Sequence, residues 1–297
     1  MFMIISCGEA LVDLVPDAVP GGGPMNVAVA AARLGISTAF LGCVSTDGHG
    51  QQIWDHLVAN GVDTSVCQRS DAPTARAIVE HVPQLVFRFE GIDTADTRLG
   101  PPDLTLLAPG PHIVHGGTLG MFRGRTADTL ADLVERHDGL VSLDPNIRPQ
   151  IIDDRARWDH FHDRWLPHTC VYKGSDEDLE WIWPDRSPES SAEALLAEGI
   201  AVVIVTKGAD GLSIITAEGE HRATAPEVDV VDTVGAGDTI VAAVLASLSE
   251  RGIHRLIDLA SISGTDWTEL AQRAVAAAAI TCSRAGADPP RRSELSW

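Results

Sequence analysis

Residues 232–248 read DTVGAGDTIVAAVLASL, a glycine-rich turn that runs directly into an apolar helical repeat. After Gly237, apolar side chains recur three and four residues apart as far as Leu248, which is the spacing of one helix face. The glycines therefore lie at a predicted helix N-terminus, where free N–H groups and the positive end of the helix dipole favour an anion. Small residues at 235–237 let a phosphate approach the backbone. This stretch predicts an anion site.

Asp238 stands in the first turn of the same helix. One interpretation is structural: an acidic residue in that place is commonly an N-terminal cap that offsets the helix dipole and has no other role. A cap, however, does not need Gly-Ala-Gly before it. A carboxylate beside an anion site has the arrangement of a general base next to developing negative charge. We therefore interpret Asp238 as a catalytic base.

Outward from this stretch, short apolar runs alternate with longer amphipathic ones. The alternation predicts βαβ units and a mainly parallel, doubly wound sheet, so the fold class is α/β. Residues 75–82 and 85–89 break the rhythm and predict a hairpin outside that sheet. Predicted strands lie at 3–7, 38–43, 112–115, 140–144, 170–173 and 201–206, and predicted helices at 25–34, 48–60, 124–137, 154–166, 189–198, 236–250 and 267–284.

Composition excludes several classes of protein. The 297 residues carry 42 acidic and 22 basic side chains, a formal charge of −20, so we expect neither a nucleic-acid partner nor an anionic membrane surface. No run approaches the ~18 apolar residues of a membrane helix. The five cysteines are odd in number and scattered without a Cys-x-x-Cys pair, which predicts free thiols and a cytoplasmic location.

Five motifs together resemble one family. DTVGAGD at 232–238 resembles the C-terminal signature of ribokinase-like (PfkB) carbohydrate kinases, and the resemblance runs from residue 4 to about residue 290. No Gly-x-x-x-x-Gly-Lys-Ser/Thr occurs, so a P-loop enzyme is excluded. The other four motifs, in the family's order, are GEALVD at 8–13, GGGPMN at 21–26, DPNIRP at 144–149 and TKGADG at 206–211.

The resemblance implies a ribokinase-like fold with a small β lid from about 10–20 and 74–98, carried by a single domain over 1–297. It also implies an ATP- and Mg²⁺-dependent sugar kinase, in which phosphoryl transfer needs positioning, charge neutralisation and an oriented hydroxyl. The resemblance implies three sites. The sugar pocket is formed by Asp13, Gly22, Asn26, Asn146 and Arg148, and the anion hole by Gly235, Ala236 and Gly237, with Asp238 as the base. The nucleotide site is formed by Lys173, Thr206, Gly208, Gly211 and Gly237.

Asn146 and Arg148 also have a signal of their own. They follow a predicted strand that ends at Asp144, so they project from the carboxyl edge of the sheet, where open α/β sheets bind ligands. A structural alternative is that Asp144 and Arg148 pair to hold a loop. The neighbouring asparagine favours ligand contact.

Two positions concern metal ions. Relatives often carry an Asn-x-x-Glu motif that organises magnesium, and this chain has Ser175 at its first place and Asp178 at its last. Aspartate still offers oxygen ligands, and magnesium is held largely through water, so Asp178 is the predicted Mg²⁺ residue. Asp232 stands where some relatives bind potassium, so the resemblance leaves a K⁺ site open.

The resemblance is strongest to fructokinases, through GEALVDLVP, DPNIRP and the Lys173–Ser175 segment. We expect small-molecule partners, a sugar and ATP, and a monomer or homodimer. Neutral ketoses are expected over sugar acids, because Glu90 and Gly91 stand where kinases for 2-keto-3-deoxygluconate carry tyrosine and arginine. The alternatives are a kinase for that acid, another sugar or a nucleoside, and a non-catalytic sugar-binding regulator.

Overall fold

A computed structural model describes residues 2–15, 17–82 and 84–297. The strands, in chain order, are β1 (Ile4–Cys7), β2 (Leu11–Val15), β3 (Asp17–Gly21), β4 (Thr38–Leu41), β5 (Cys43–Ser45), β6 (Gln68–Ser70), β7 (Arg76–Val82), β8 (Gln84–Glu90), β9 (Ile113–Gly117), β10 (Leu140–Asp144), β11 (Val171–Ser175), β12 (Val202–Thr206), β13 (Leu212–Thr216) and β14 (Gly219–Ala223). The α-helices are α1 (Gly23–Arg33), α2 (Gly48–Ala59), α3 (Gly124–Arg136), α4 (Arg155–Trp165), α5 (Asp176–Ile182), α6 (Pro188–Ala197), α7 (Ala236–Glu250) and α8 (Gly264–Cys282).

Eight strands form the central sheet, in the order β14-β13-β12-β11-β10-β9-β1-β4. The six strands from β12 to β4 run parallel, and β13 and β14 add an antiparallel edge. Parallel strands are covered on both faces and are therefore largely apolar, as in β12, whose five residues are all buried. The predicted parallel α/β sheet is confirmed. Its antiparallel edge was not predicted, because the turn at Ala217-Glu218 lacks an Asn-Gly or Asp-Gly signal.

Helices cover both faces of this sheet. Successive residues of a strand face opposite sides, so Ile4 belongs to the buried cluster that includes residues of α1, α7 and α8, whereas Ile5 belongs to the cluster that includes residues of α3, α4, α5 and α6. Helices α7 and α8 pack against each other, and their buried alanines, Ala243 and Ala274 among them, are small enough to allow a close approach of two helices. The helix that carries the glycine-rich turn is thereby fixed against the sheet.

A second, four-stranded sheet has the order β3-β2-β7-β8. Strand β2 pairs antiparallel with β3 and parallel with β7, and β7 pairs antiparallel with β8. Its register aligns Asp13 with Ala77 and Ala77 with Phe89, so these three side chains share one face. The predicted hairpin at 75–82 and 85–89 corresponds to β7 and β8.

No helix among the described residues is long and apolar enough to cross a membrane. All five cysteines lie in the described part of the chain and have free thiols.

Candidate active site

A cavity of about 530 Å³ lies where the carboxyl edge of the central sheet meets the four-stranded sheet. Both the open edge of an α/β sheet and a cleft between two layers are common places for ligands. Its lining comes mainly from the loops after β1, β9 and β10, from β2, β3, β7, β8 and β11, and from the N-termini of α1 and α7. Among the lining residues are Leu11, Asp13, Gly22, Gly23, Asn26, Ala77, Phe89, Thr118, Asn146, Arg148, Lys173, Gly235, Gly237 and Asp238.

Three polar atoms converge on the open side of Gly23. Measured to the position that a Cβ would occupy at this glycine, the distances are 2.8 Å for Thr118 Oγ1, 3.4 Å for Asn146 Nδ2 and 3.5 Å for Asp238 Oδ1. Thr118 and Asn146 have positive φ values of 48° and 40°, a conformation that persists only where surrounding structure holds it and that clusters at functional sites. The three groups can therefore act together on one small polar atom placed beside Gly23.

Asp238 is buried, and within the described residues one of its two carboxylate oxygens has a hydrogen-bond partner. Asn26 Nδ2 donates to its Oδ2 at 2.9 Å, which leaves Oδ1 facing the cavity beside Gly23. Burial raises the pKa of Asp238, while the Asn26 hydrogen bond and the charges of Lys173 and Arg148 limit the rise. A carboxylate with a raised pKa is a stronger proton acceptor than an exposed one.

The N-terminus of α7 offers free N–H groups to the cavity. The amides of Ala236 and Thr239 donate to Thr233 and Gly235, whereas those of Gly237 and Asp238 have no acceptor in the part of the chain that the structure describes. Gly235 has a φ of 77° and packs against Ala287, 2.6 Å from where a Cβ would be, so only glycine fits there. The α7 turn therefore offers free backbone donors to the cavity, and the anion site stays a prediction.

Lys173 lies beside this helix end. Its Nζ is 3.0 Å from Asp144 Oδ2 and 3.1 Å from the position of a Cβ at Gly237, so the missing side chain leaves the ammonium next to the α7 turn. Burial acts to lower the pKa of Lys173, but the carboxylates of Asp144, Asp178 and Asp238 outweigh it and raise the value. A buried positive charge therefore stands at the proposed anion site.

The residues predicted for the sugar pocket all line the cavity: Asp13, Gly22, Asn26, Asn146 and Arg148. Burial, followed by the negative charge of Asp238, raises the pKa of Asp13 to about 6. Gly22 has a φ of 114°, and a Cβ there would lie 2.8 Å from the Glu9 carbonyl oxygen. Asp144 pairs with Lys173, and Arg148 instead donates to the Ile147 carbonyl at 2.8 Å, so the alternative Asp144–Arg148 pair does not form.

Several predicted residues lie outside the cavity lining. Ala236 is in the α7 turn between two lining glycines. Thr206 ends β12, and Gly208 and Gly211 follow it further along the same sheet edge. The anion-hole role of Ala236 and the nucleotide role of the other three residues stay predictions.

Asp178 takes part in capping α5. Its Oδ2 accepts the N–H of Ser175 at 2.9 Å and its Oδ1 that of Ile147 at 2.7 Å, so it ties β11 to the loop that carries Asn146. No cluster of three or more metal-ligating side chains occurs among the described residues. The magnesium role of Asp178 stays a prediction, and a metal would reach it through water.

Asp232 joins two loops. Its Oδ1 accepts the N–H of Val234 at 3.0 Å and its Oδ2 that of Gly286 at 2.9 Å. It therefore fixes the segment before the glycine turn against residues 285–287, which also line the cavity. The potassium site stays a prediction.

Among the lining residues without a predicted role are Glu9, Gly23, Thr118 and Phe89. Glu9 and Gly23 belong to motifs that the sequence displays, and Thr118 follows the Gly116-Gly117 pair after β9. Phe89 was missed because the register of its strand was unknown. The expectation that Glu90 faces the substrate is wrong: Phe89 lines the cavity, and Glu90, one residue on, pairs with Arg76 at 2.8 Å on the opposite face.

Comparison with known proteins shows the family of this chain. Residues 16–294 match the model of the "pfkB family carbohydrate kinase". The chain belongs to the pfkB carbohydrate kinase family. A fructokinase of Rhizobium leguminosarum bv. trifolii is 33% identical over 304 aligned residues, 98% of this chain and 88% of that relative.

Solved structures show the same fold. A fructokinase from Vibrio cholerae O395, in a fructose-, ADP- and calcium-bound form, has a TM-score of 0.82 and 26% identity over 97% of this chain and 94% of its own. A fructokinase from Xylella fastidiosa with bound ATP has a TM-score of 0.86 and 25% identity over 96% and 93%. The ribokinase-like fold is thereby confirmed, and this pfkB kinase is a phosphotransferase that acts on sugars.

Proposed function

We propose that this protein transfers the γ-phosphoryl group of ATP to a primary hydroxyl of a small neutral ketose, with fructose as the physiological sugar. The observation that carries the proposal is the convergence of Thr118, Asn146 and Asp238 beside Gly23, next to the free amides of α7. A hydroxyl group at that point meets both a base and an anion site. The fructokinases among its relatives support the choice of sugar.

In this proposal the attacking hydroxyl lies beside Gly23 and gives its proton to Asp238 Oδ1. Asn26 holds the other carboxylate oxygen at 2.9 Å and so fixes the direction in which Asp238 accepts. The hydroxyl oxygen forms a bond to the γ-phosphorus as the bond to the leaving oxygen of ADP breaks. Orientation and proton removal are the two contributions of these residues.

The developing negative charge needs local neutralisation, because the protein carries a net charge of −20. The amides of Gly237 and Asp238 supply two donors, and Lys173 supplies a positive charge. Lys173 belongs to this phosphoryl end of the site, since its Nζ adjoins Gly237. Arg148 adds a second positive charge from the loop after β10.

Asp13, Gly22, Asn26, Asn146 and Arg148 hold the sugar. We infer that the four-stranded sheet, within residues 10–20 and 74–98, is a lid over this sugar and that the chain works as one α/β unit. Asp13, Ala77 and Phe89 are among its residues that line the cavity. A closed lid excludes water, which would otherwise compete for the phosphoryl group.

The nucleotide extends from the α7 turn along the sheet edge towards Thr206, Gly208 and Gly211. The residues fit a magnesium nucleotide, since free amides and Lys173 face the place of the phosphates. When bound, Mg²⁺ neutralises phosphate charge, and Asp178 would hold it through water. We also infer that a potassium ion binds at Asp232, in the loop that precedes the glycine-rich turn.

The preference for neutral sugars depends on the charges of the cavity. Among the described lining residues are four with carboxyl groups, Glu9, Asp13, Asp232 and Asp238, and two with positive groups, Arg148 and Lys173. Lys173 is already paired with Asp144. A sugar acid would therefore enter a site with excess negative charge, whereas sugar hydroxyls can donate to the carboxylates.

A panel of sugars tests the proposal. Turnover is measured with ATP and Mg²⁺ for fructose, 2-keto-3-deoxygluconate, ribose and a nucleoside, with Asp238→Asn as the inactive control. We expect kcat/KM to be highest for fructose. A tenfold or larger preference for the acid would refute the neutral-ketose assignment. Sugar binding without turnover of any substrate would refute the kinase and favour a sugar-binding regulator.

A further inference from the structure

Arg123 holds the turn that follows the last strand of the four-stranded sheet. It precedes α3 and reaches across to residues 89–96, where it makes three contacts. Its Nη1 donates to Asp96 Oδ2 at 2.9 Å, its Nη2 donates to the carbonyl oxygen of Gly91, and its guanidinium carbon lies 4.5 Å from the centre of the Phe89 ring. Arg123 thus contacts the backbone and the Asp96 carboxylate of this turn, and also the aromatic ring of Phe89 at the end of β8.

The charged contact is almost fully buried. The side chains of Arg123 and Asp96 are 14% and 2% exposed. Thr126, in the first turn of α3, donates to the backbone carbonyl of Asp96 at 2.5 Å, so the turn is attached to α3 at a second point. A buried pair keeps a narrow geometry, because a displaced charge would lose its partner without regaining water. The guanidinium plane is therefore fixed in place.

Phe89 connects this arrangement to the cavity. Its ring lines the cavity on the same face as Asp13 and Ala77, and the guanidinium of Arg123 contacts it. A Cβ at Gly91 would collide with that ring, so the glycine leaves the space that the ring occupies. The position of Phe89 in the cavity thus depends on Arg123 and on the absence of a side chain at Gly91.

We propose that Arg123 is a positioning residue for the sugar, acting through Phe89. The inference rests on the proposed function, since it requires that the cavity under the four-stranded sheet holds the sugar. Arg123 contributes to sugar affinity and not to nucleotide affinity, because Phe89 belongs to the four-stranded sheet whereas the free amides lie at α7. Arg123 does not itself line the cavity.

The test is Arg123→Lys. Lysine keeps the charge for Asp96 but lacks the planar group that both stacks on Phe89 and donates to the Gly91 carbonyl. We expect KM for fructose, and its dissociation constant measured by calorimetry without nucleotide, to rise about fivefold or more. KM for ATP should change less than about twofold. If Arg123 had only a structural role, Arg123→Lys would lower the melting temperature without changing KM for fructose more than KM for ATP.

Arg155→Lys is the matched control. Arg155 lies over the Trp181 ring at 4.1 Å and donates to the carbonyls of Trp181 and Ile182 at 3.2 and 3.0 Å, but none of these residues lines the cavity. Arg155→Lys removes the same kinds of contact as Arg123→Lys, namely stacking on an aromatic ring and hydrogen bonds to backbone carbonyls. Both KM values should stay unchanged in this variant.

Phe89→Leu completes a double-mutant cycle. With the ring removed, adding Arg123→Lys should change fructose affinity less than about twofold. Additive effects of the two substitutions would overturn the inference, as would unchanged fructose affinity in folded Arg123→Lys.

Arg123→Gln is a second variant, and failure of both Arg123 variants to fold would make Arg123 a structural residue and overturn the inference. A wild-type protein that binds no sugar would refute the proposed function and this inference together, whereas sugar binding insensitive to Arg123 would refute the inference alone.

Discussion

Replacing Glu9 by glutamine is expected to stabilise the protein at pH 8 and to have much less effect at pH 5. Glu9 is 1% exposed, and its Oε2 accepts the N–H of Gly120 at 2.8 Å. Its Oε1 has no hydrogen-bond partner within the described residues. Burial, opposed by the Gly120 bond and reinforced by the charges of Asp96 and Asp238, raises the pKa of Glu9 to about 7. The folded protein therefore disfavours the ionised carboxylate.

The magnitude follows from the two pKa values. A rise from 4.5 to about 7, at ~1.36 kcal/mol per pKa unit, corresponds to about 3 kcal/mol between the protonation states. Because the pKa of Glu9 is raised on folding, the folded state binds the proton more tightly than the unfolded state does. Ionised Glu9 therefore destabilises the folded protein. This destabilisation is absent below pH 4.5, grows between pH 4.5 and 7, and is complete above pH 7. Glutamine stays neutral and can still accept from Gly120. Its stabilisation should therefore grow by roughly 2–3 kcal/mol from pH 5 to pH 8.

Urea unfolding of the wild type and Glu9→Gln at several pH values from 5 to 8 measures this difference. Other groups with raised pKa values, Asp13 among them, titrate in both proteins and cancel. Asp47→Asn is the control: hydrogen bonds from Thr74 and Gly50 outweigh its burial and lower the pKa of Asp47 to about 2, so its effect should be constant over this range. A constant difference between wild type and Glu9→Gln from pH 5 to 8 would refute the reasoning.

Three further predictions concern catalysis and the α7 turn. Asp238→Asn should lower kcat by about 10²–10⁴-fold with little change in either KM, because the amide cannot accept the hydroxyl proton; a variant with half the wild-type kcat would remove Asp238 from the mechanism. Excess EDTA should abolish turnover, and Arg148→Ala should lower kcat/KM about tenfold or more, since both changes remove positive charge near the phosphates; full activity in EDTA would contradict the metal requirement. Gly235→Ala should destabilise the protein by about 1–3 kcal/mol in urea unfolding, because the φ of 77° and the contact with Ala287 both exclude a Cβ; an unchanged midpoint would contradict this.

The sequence alone was sufficient for the α/β class, for the six parallel strands and for the glycine-rich turn at the start of α7, whose role as an anion site stays a prediction. Each of these depends on local order along the chain. Apolar periodicity distinguishes strand from helix, and a glycine-rich turn before an apolar repeat marks a helix N-terminus wherever the helix is later packed. The family followed from five such local motifs in order.

Only the tertiary structure decided which side chains meet. Asn26 and Asp238 are 212 residues apart in sequence and 2.9 Å apart in space, a distance that depends on the packing of α1 against α7. The raised pKa of Glu9 results from burial and from neighbours distant in sequence. The choice between Phe89 and Glu90 as the residue facing the cavity depended on strand register, and a shift of one residue reverses the two faces of a strand. These features arise from packing between distant segments, which local sequence patterns do not encode.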